Sequence, residues 1–318
     1  MITQSQPLRV GVFGVGSLGE HHARIYSTLP GVELVGIYDT DTERADEVAR
    51  SYSTRTFPTL DALVESIDAA SVAVPTDAHL DVAGRLLAAG VHLLVEKPIA
   101  ASTQEAETLV RLAQERNLIL QVGHIERFNP VLGVLEQRPG PPRFIEAHRL
   151  APYPPARPGA VPRGTEVSVV LDLMIHDIEI IFHLVRSPVA AVHAIGVPVL
   201  SASEDIANVR LVFENRCVAN LTASRISAER MRKIRVFYDD AYVSLDYMNQ
   251  TGEVHRRTAE GIVRDAIPIE RDEPLKRELA AFTDCVRRRA EPLVSGRQAA
   301  DALRMAVRIV QQMQQAPS

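Results

Sequence analysis

The chain of 318 residues contains no tryptophan, only 5% aromatics and just two cysteines, Cys217 and Cys285. So few large rings leave little with which to stack bases or sugars. The cysteines lie far apart and form no C-x-x-C pair, which excludes a disulfide framework and a structural zinc site. A basic excess is also missing: 35 Lys and Arg face 40 Asp and Glu, a formal net charge of −5, with no cationic block. Nucleic acid is therefore not an expected partner. No apolar run approaches the roughly 18 to 20 residues that span a bilayer. The opening "MITQSQPLRV" lacks the basic-then-apolar order of a signal peptide. The expectation is a cytoplasmic protein with no membrane partner.

At about 150 residues per domain, the length suits two domains. Through residue 122, short β-branched runs alternate with amphipathic ones: "LRVGVF", "VELVGIYD", "AASVAVP", "VHLLVEKP" and "LILQVG", separated by helical segments. Strands nearly free of polar residues, with helices between them, predict a doubly wound parallel sheet, an α/β Rossmann-type domain. After residue 123 a long helical segment from about Val167 to Val185 precedes alternating runs such as "IANVRLVFE", "CVANLTASRIS", "KIRVFY" and "AYVSLDY". The short polar pieces between them, "ENR", "SAER" and "DD", suit hairpins. They predict an α+β domain over 123–296 with an open-faced, mainly antiparallel sheet, then a final helix over 297–315.

Gly14, Gly16 and Gly19 form G-x-G-x-x-G directly after a strand and before a helix, with Ser17 and Leu18 between them. The first glycine permits the tight turn, the second lets backbone approach a pyrophosphate, and the third lets helix pack on strand. The next strand ends at Asp39, 20 residues beyond Gly19. An acid there accepts from ribose hydroxyls and repels a 2′-phosphate, and Arg44 is the first base after it, so NAD is favoured over NADP. His21 and His22 on the following helix read as surface or helix-packing residues.

Ligands of open α/β sheets sit at the carboxyl ends of the strands. Three such ends carry polar residues: Pro75 and Thr76, with His79 one turn on; Glu96, Lys97 and Pro98; and Gly123 with His124. Lys97 either decorates a loop or reaches a substrate oxygen, where its charge would stabilise a developing alkoxide. In "VVLDLMIHDIEIIFHLV", Asp172 and His176 are i and i+4 and share a helix face. Such a pair is a buried structural contact, a general base with its partner, or, least favoured, part of a metal site. As a base it suits proton removal from a hydroxyl, because imidazole titrates near neutrality.

"GVGSLGEHHARIY", "VAVPTDAHLDVA", "VEKPIA", "GHIERFNP" and "DLMIHDIE" together resemble the glucose-fructose oxidoreductase, inositol dehydrogenase and MocA family over nearly the whole chain. The resemblance implies an NAD-dependent oxidoreductase with Lys97 and His176 as catalytic pair and Asp172 binding a substrate hydroxyl or aiding Lys97. Pro75, Thr76, His79 and Lys97 are then cofactor neighbours, and Glu96 either contacts the cofactor or orients Lys97. The resemblance further implies a cis bond before Pro98, a final helix packed back on the first domain, and a homodimer or homotetramer built on the open sheet. "VGHIERFNP" with "VVLDLMIHDIE" looks like the branch acting on nucleotide-linked amino sugars. That implies oxidation of the C3 hydroxyl of a UDP-linked N-acetylglucosamine to a ketone, ahead of an aminotransferase, toward lipid A or surface glycans. Arg127 and Asn129 would line the cleft, and Arg149, Arg157 and Arg163 are candidates for the diphosphate. Where many members carry a glycine-rich run before the Asp–His helix, this chain has "RGTEVSVVLD". The competing readings are a dehydrogenase of another sugar or polyol and a non-catalytic NAD-binding regulator; Lys97, Asp172 and His176 together argue against the regulator.

Overall fold

A computed structural model describes residues 6–136, 140–155, 162 and 164–315. Arg157 and Arg163 lie outside the described residues. Five parallel strands, β1 (Leu8–Phe13), β2 (Val32–Tyr38), β3 (Ala69–Val72), β4 (His92–Glu96) and β5 (Leu120–Gly123), form one sheet in the order β2-β1-β3-β4-β5. The order reverses at β1, between β2 and β3, which makes the carboxyl ends of β1 and β3 the place where an open α/β sheet receives a ligand. Helices α1 (Ser17–Tyr26), α2 (Thr42–Ser51), α3 (Leu60–Val64), α4 (His79–Ala88) and α5 (Thr103–Glu115) connect the strands. Their starts are chemically marked. Asp41, Thr59 and Ser102 cap α2, α3 and α5 by accepting from backbone N–H groups three residues on. No side chain caps α1, whose N-cap is Gly16.

The chain divides into two compact units, one running through Phe128 and adding Glu273–Ala300, the other holding Asn129–Asp272 and Asp301 onward. The first unit thus takes a helix from the stretch expected in the second. A short helix, α6 (Gly133–Glu136), and α7 (Ile175–Val185) belong to the second unit, whereas α8 (Pro274–Arg288) belongs to the first. Leu275, Leu279, Phe282 and Val286 make one apolar stripe of α8, buried in a single cluster with Leu8, Val10, Ala23 and Tyr26. Of the last helix, α9 (Gly296–Gln315), only the first turn belongs to the first unit. Farther along, Gln312 Nε2 donates to the Val192 carbonyl at 2.8 Å within the second unit.

The second unit is built on eight strands: β6 (Phe144–Leu150), β7 (Val189–Val197), β8 (Ile206–Phe213), β9 (Val218–Ser224), β10 (Met231–Phe237), β11 (Ala241–Asp246), β12 (Thr251–Thr258) and β13 (Gly261–Ile267). Their order is β13-β12-β11-β10-β6-β9-β8-β7. "ENR" and "DD" connect hairpins as expected, but "SAER" does not. β6 lies between β9 and β10, antiparallel to β10 and parallel to β9. Inserting an earlier strand gives both partners a buried neighbour, so the sheet is antiparallel except at that pair. Alternation along β6 sends Ile145, Ala147 and Arg149 to the buried face and leaves Phe144, Glu146 and His148 half-buried on the other.

Among the described residues no helix is long and apolar enough to cross a membrane.

Candidate active site

The glycine turn meets the demands read from its sequence. Gly14 has φ +81°, and a Cβ there would stand 2.8 Å from the backbone of Ala73 and Val74, so only glycine fits. A Cβ on Gly19 would collide with the Gly14 carbonyl, which lets α1 close down on β1. Gly16 meets nothing within 4 Å. Gly16 and Ser17 are exposed and Leu18 half-buried. Open space at Gly16 and an uncapped helix start leave N–H groups and positive helix-end potential for a diphosphate. Asp39 stands beside this turn: its Oδ2 accepts from Val15 N–H at 2.6 Å and its Oδ1 from Asp41 N–H at 2.9 Å. Arg44 donates to the Val15 carbonyl at 3.2 Å, to Glu47 at 2.7 Å and to Glu20. With two carboxylates on its guanidinium, Arg44 is poorly placed to serve a 2′-phosphate. These residues fit NAD.

Two more strand ends face the same edge. Pro75 is exposed and Thr76 half-buried in the turn after β3. His79 is buried, with Nδ1 3.0 Å from the Pro98 carbonyl and Nε2 3.0 Å from the Val74 carbonyl. A neutral ring donates to one of the two and a protonated ring to both. Burial lowers the His79 pKa, and the carbonyls together with the Glu96 charge offset only part of that. The ring ties the turn after β3 to the turn after β4. Lys97 is half-buried at the end of β4, and its bond to Pro98 is cis, in agreement with the resemblance.

Glu96 turns inward. Its Oε1 lies 2.9 Å from His22 Nε2, and its Oε2 accepts from Lys97 N–H at 3.3 Å. Burial pushes the Glu96 carboxyl up, but His22 and the Lys97 charge outweigh it and hold the group below the ordinary carboxylate range. His22, read from sequence as a surface or packing residue, is fully buried. Glu278 on α8 is fully buried as well, with no partner for either carboxyl oxygen among the described residues. Burial, and then the Glu96 charge, raise its pKa well above that of a free glutamate. In the turn that follows β5, His124 and Arg127 are buried.

In the second unit the expected helix begins with a wide turn. Val170–Met174 is a π-helical turn leading into α7, so Asp172 and His176 lie on either side of the transition. Such turns frequently mark functional sites. Asp172 is half-buried and His176 buried. Gly164, at φ +83°, leaves room for Asp172: a Cβ would stand 2.5 Å from its Oδ2. Arg225 fixes this approach. Its Nη1 donates to the Gly164 carbonyl at 2.5 Å and the Val167 carbonyl at 2.8 Å, and its Nε to Asp205 at 2.8 Å. Asp205 also accepts from the N–H groups of Val199, Leu200 and Ser201.

Two residues proposed for substrate have other work. The Arg149 fork is taken by a buried, bidentate pair with Asp177, at 2.8 and 3.0 Å. It balances an acid inside the nearly all-buried α7 and is not free for a diphosphate. Asn129 donates to the Tyr247 carbonyl at 3.1 Å and accepts from Val131 N–H at 3.4 Å.

Family models match in two stretches: an oxidoreductase family with an NAD-binding Rossmann fold over residues 8–124, and the GFO/IDH/MocA C-terminal domain over residues 134–244. A UDP-N-acetylglucosamine 3-dehydrogenase of Acidithiobacillus ferrooxidans is 40% identical over 286 residues, 88% of each chain. A solved structure of UDP-N-acetylglucosamine 3-dehydrogenase from that organism superposes with a TM-score of 0.90 at 36% identity, over 96% of this chain and 97% of that one. The scyllo-inositol 2-dehydrogenase (NAD(+)) of Bacillus subtilis is 26% identical over 310 residues, 91% of this chain and 89% of that one.

Proposed function

The chain belongs to the GFO/IDH/MocA oxidoreductase family with its NAD-binding Rossmann fold, and from that premise we propose that it oxidises the C3 hydroxyl of UDP-N-acetylglucosamine to a ketone. The observation that carries the substrate is the 40% identity, sustained over 88% of both chains, to a dehydrogenase of that nucleotide sugar.

Bound NAD supplies the hydride acceptor. The turn Gly14, Gly16, Ser17, Leu18 and Gly19 holds its diphosphate and Asp39 its adenosine ribose, with Pro75, Thr76 and His79 shaping the nicotinamide end. His176 removes the hydroxyl proton, Lys97 stabilises the oxygen as charge develops on it, and Asp172 binds a neighbouring hydroxyl or aids Lys97. Arg127 and Asn129 border the sugar nucleotide. The domain division expected near residue 122 is kept as the functional one, with NAD on the first part and sugar on the second.

The working form is a homodimer or homotetramer in the cytoplasm, assembled on the open face of the second sheet. Phe144, Phe237, Tyr242 and His255 cross four adjacent strands there, with neighbouring ring centroids 5.6, 4.9 and 4.2 Å apart. Half-buried rings in such a row form a surface suited to a second copy. The keto product calls for an aminotransferase in a route to amino sugars of lipid A or a surface glycan.

The test is NADH absorbance with UDP-N-acetylglucosamine, free sugars and inositols, each run with an aminotransferase to draw off the ketone. Turnover confined to the nucleotide sugar, lost in Lys97→Ala while NADH binding persists, is the expected result. Preference for an inositol or free sugar would overturn the substrate, and turnover by Lys97→Ala would overturn the role of the lysine.

A further inference from the structure

A file of buried polar groups runs beneath the end of β4. Tyr26 and His22, one turn apart on α1, and Ser71 on β3 are all fully buried. The Tyr26 hydroxyl lies 2.9 Å from Ser71 Oγ, Ser71 Oγ lies 2.9 Å from His22 Nδ1, and His22 Nε2 lies 2.9 Å from Glu96 Oε1. At the far end Lys97 N–H donates to Glu96 Oε2.

The direction of donation follows from the carboxylate. It offers only lone pairs, so His22 Nε2 carries the hydrogen. A singly protonated ring then accepts at Nδ1 from the Ser71 hydroxyl, whose free lone pair takes the Tyr26 hydroxyl. Tyr26 keeps the proton it donates, because burial raises its pKa. With the ring singly protonated, every side-chain donor in the file points toward Glu96, and His22 Nε2 donates to Glu96 in either state of the ring. Gly123 on β5 completes the seat, since a Cβ there would stand 2.8 Å from Glu96 Oε2. Burying a carboxylate and three polar side chains where apolar ones would pack as well is a poor route to stability alone. What the file does reach is the backbone of Lys97.

We propose that the donor file from α1 holds Glu96 so that Glu96 fixes the chain at Lys97, which makes His22 and Glu96 positioning residues for that lysine. The importance of Lys97 rests on the dehydrogenase reading; the contact does not. Because α1 also presents its open N-terminus to the diphosphate, one helix places both the cofactor and the lysine.

The experiment compares the full-length wild type with His22→Ala, with His22→Gln, whose amide can still donate to Glu96, and with Glu96→Gln. Hydrogen exchange by mass spectrometry, with NAD bound, reads the peptide around residues 92–97. His22→Ala is expected to exchange there several-fold faster than wild type, and His22→Gln to recover most of the protection. In the coupled NADH assay, kcat per NADH-binding site should fall on the order of ten- to hundredfold in His22→Ala, as when an orienting partner is removed. KM for the sugar nucleotide and the NADH Kd should stay within about twofold, and His22→Gln should regain part of the rate. A histidine that only stabilised the fold would lower Tm and leave kcat per binding site alone; that result, or unchanged exchange at Lys97, overturns the proposal. Should His22→Ala bind no NADH, Glu96→Gln against His22→Gln makes the same comparison. A wild type inactive on every sugar would overturn the dehydrogenase reading by itself, and the exchange arm would still decide the positioning.

Discussion

Glu278→Gln should stabilise the protein, and by more as the pH rises. Glu278 is fully buried with neither oxygen partnered among the described residues, and its pKa lies well above 4.5, first through burial and then through the Glu96 charge. The folded form therefore keeps a proton that the unfolded chain gives up near pH 4.5. A raised folded pKa means full stability below the unfolded value and a progressive loss as pH climbs toward the folded one. The slope is about 1.4 kcal/mol per pH unit while the folded form stays protonated. From pH 5 upward, over the range in which Glu278 keeps its proton in the folded protein, the wild type should lose about 1.4 kcal/mol per pH unit relative to Glu278→Gln, whose amide has the shape of the neutral acid and does not titrate. At about 2 to 4 °C per kcal/mol for a unit of this size, the gap in Tm should widen by roughly 3 to 6 °C per pH unit over that range. Differential scanning fluorimetry of both proteins in matched buffers measures it, and the other titrating groups cancel in the difference. Parallel Tm curves across that range would refute the argument and mean that Glu278 has a partner or water when folded.

Three further outcomes follow from particular contacts. Arg149→Ala leaves Asp177 charged and unpaired inside α7, so urea unfolding should show a loss of about 3 to 5 kcal/mol; a loss under about 1 kcal/mol would mean that the pair is solvated. Gly14→Ala forces a Cβ against Ala73 and Val74 at a positive φ, and calorimetric titration should show NAD binding lost or weakened at least about tenfold, with unaltered binding counting against the glycine turn as the diphosphate site. Asp39→Ala removes the acid beside that turn, and its NADP-to-NAD ratio of kcat/KM should rise by at least about tenfold; an unchanged ratio would place cofactor choice elsewhere.

The first sheet was legible because its signals are local. Continuous apolar runs, separated by capped helices, have one inexpensive arrangement, and the structure adopts it as β2-β1-β3-β4-β5. The second sheet was legible in type but not in order. Chain-adjacent strands suggest hairpins, whereas placing β6 between β9 and β10 depends on contacts some 70 to 90 residues apart, which no local pattern encodes. The attachment of α8 escaped for the same reason: its stripe shows that it packs, not on what.

At the site, two residues carry their inward orientation in the sequence itself. The alternation Ile145, Ala147, Arg149 already points Arg149 to the buried face, and an inward arginine needs an acid more than it needs a ligand. His22 follows Gly19 by three residues and precedes Tyr26 by four, so it lies on the face that α1 turns to the sheet. A histidine on that face must find a hydrogen-bond partner inside, and the carboxyl end of a neighbouring strand, where "VEKP" puts its acid, is the nearest polar ground. What sequence could not supply was the choice, for Glu96, between contacting the cofactor and orienting Lys97, because a strand-end side chain can turn either way. Gly123 decides it. The vacancy beside that carboxylate lies on β5, and filling it with Ala should cost function through Glu96, so Gly123→Ala is expected to weaken turnover in the same manner as His22→Ala.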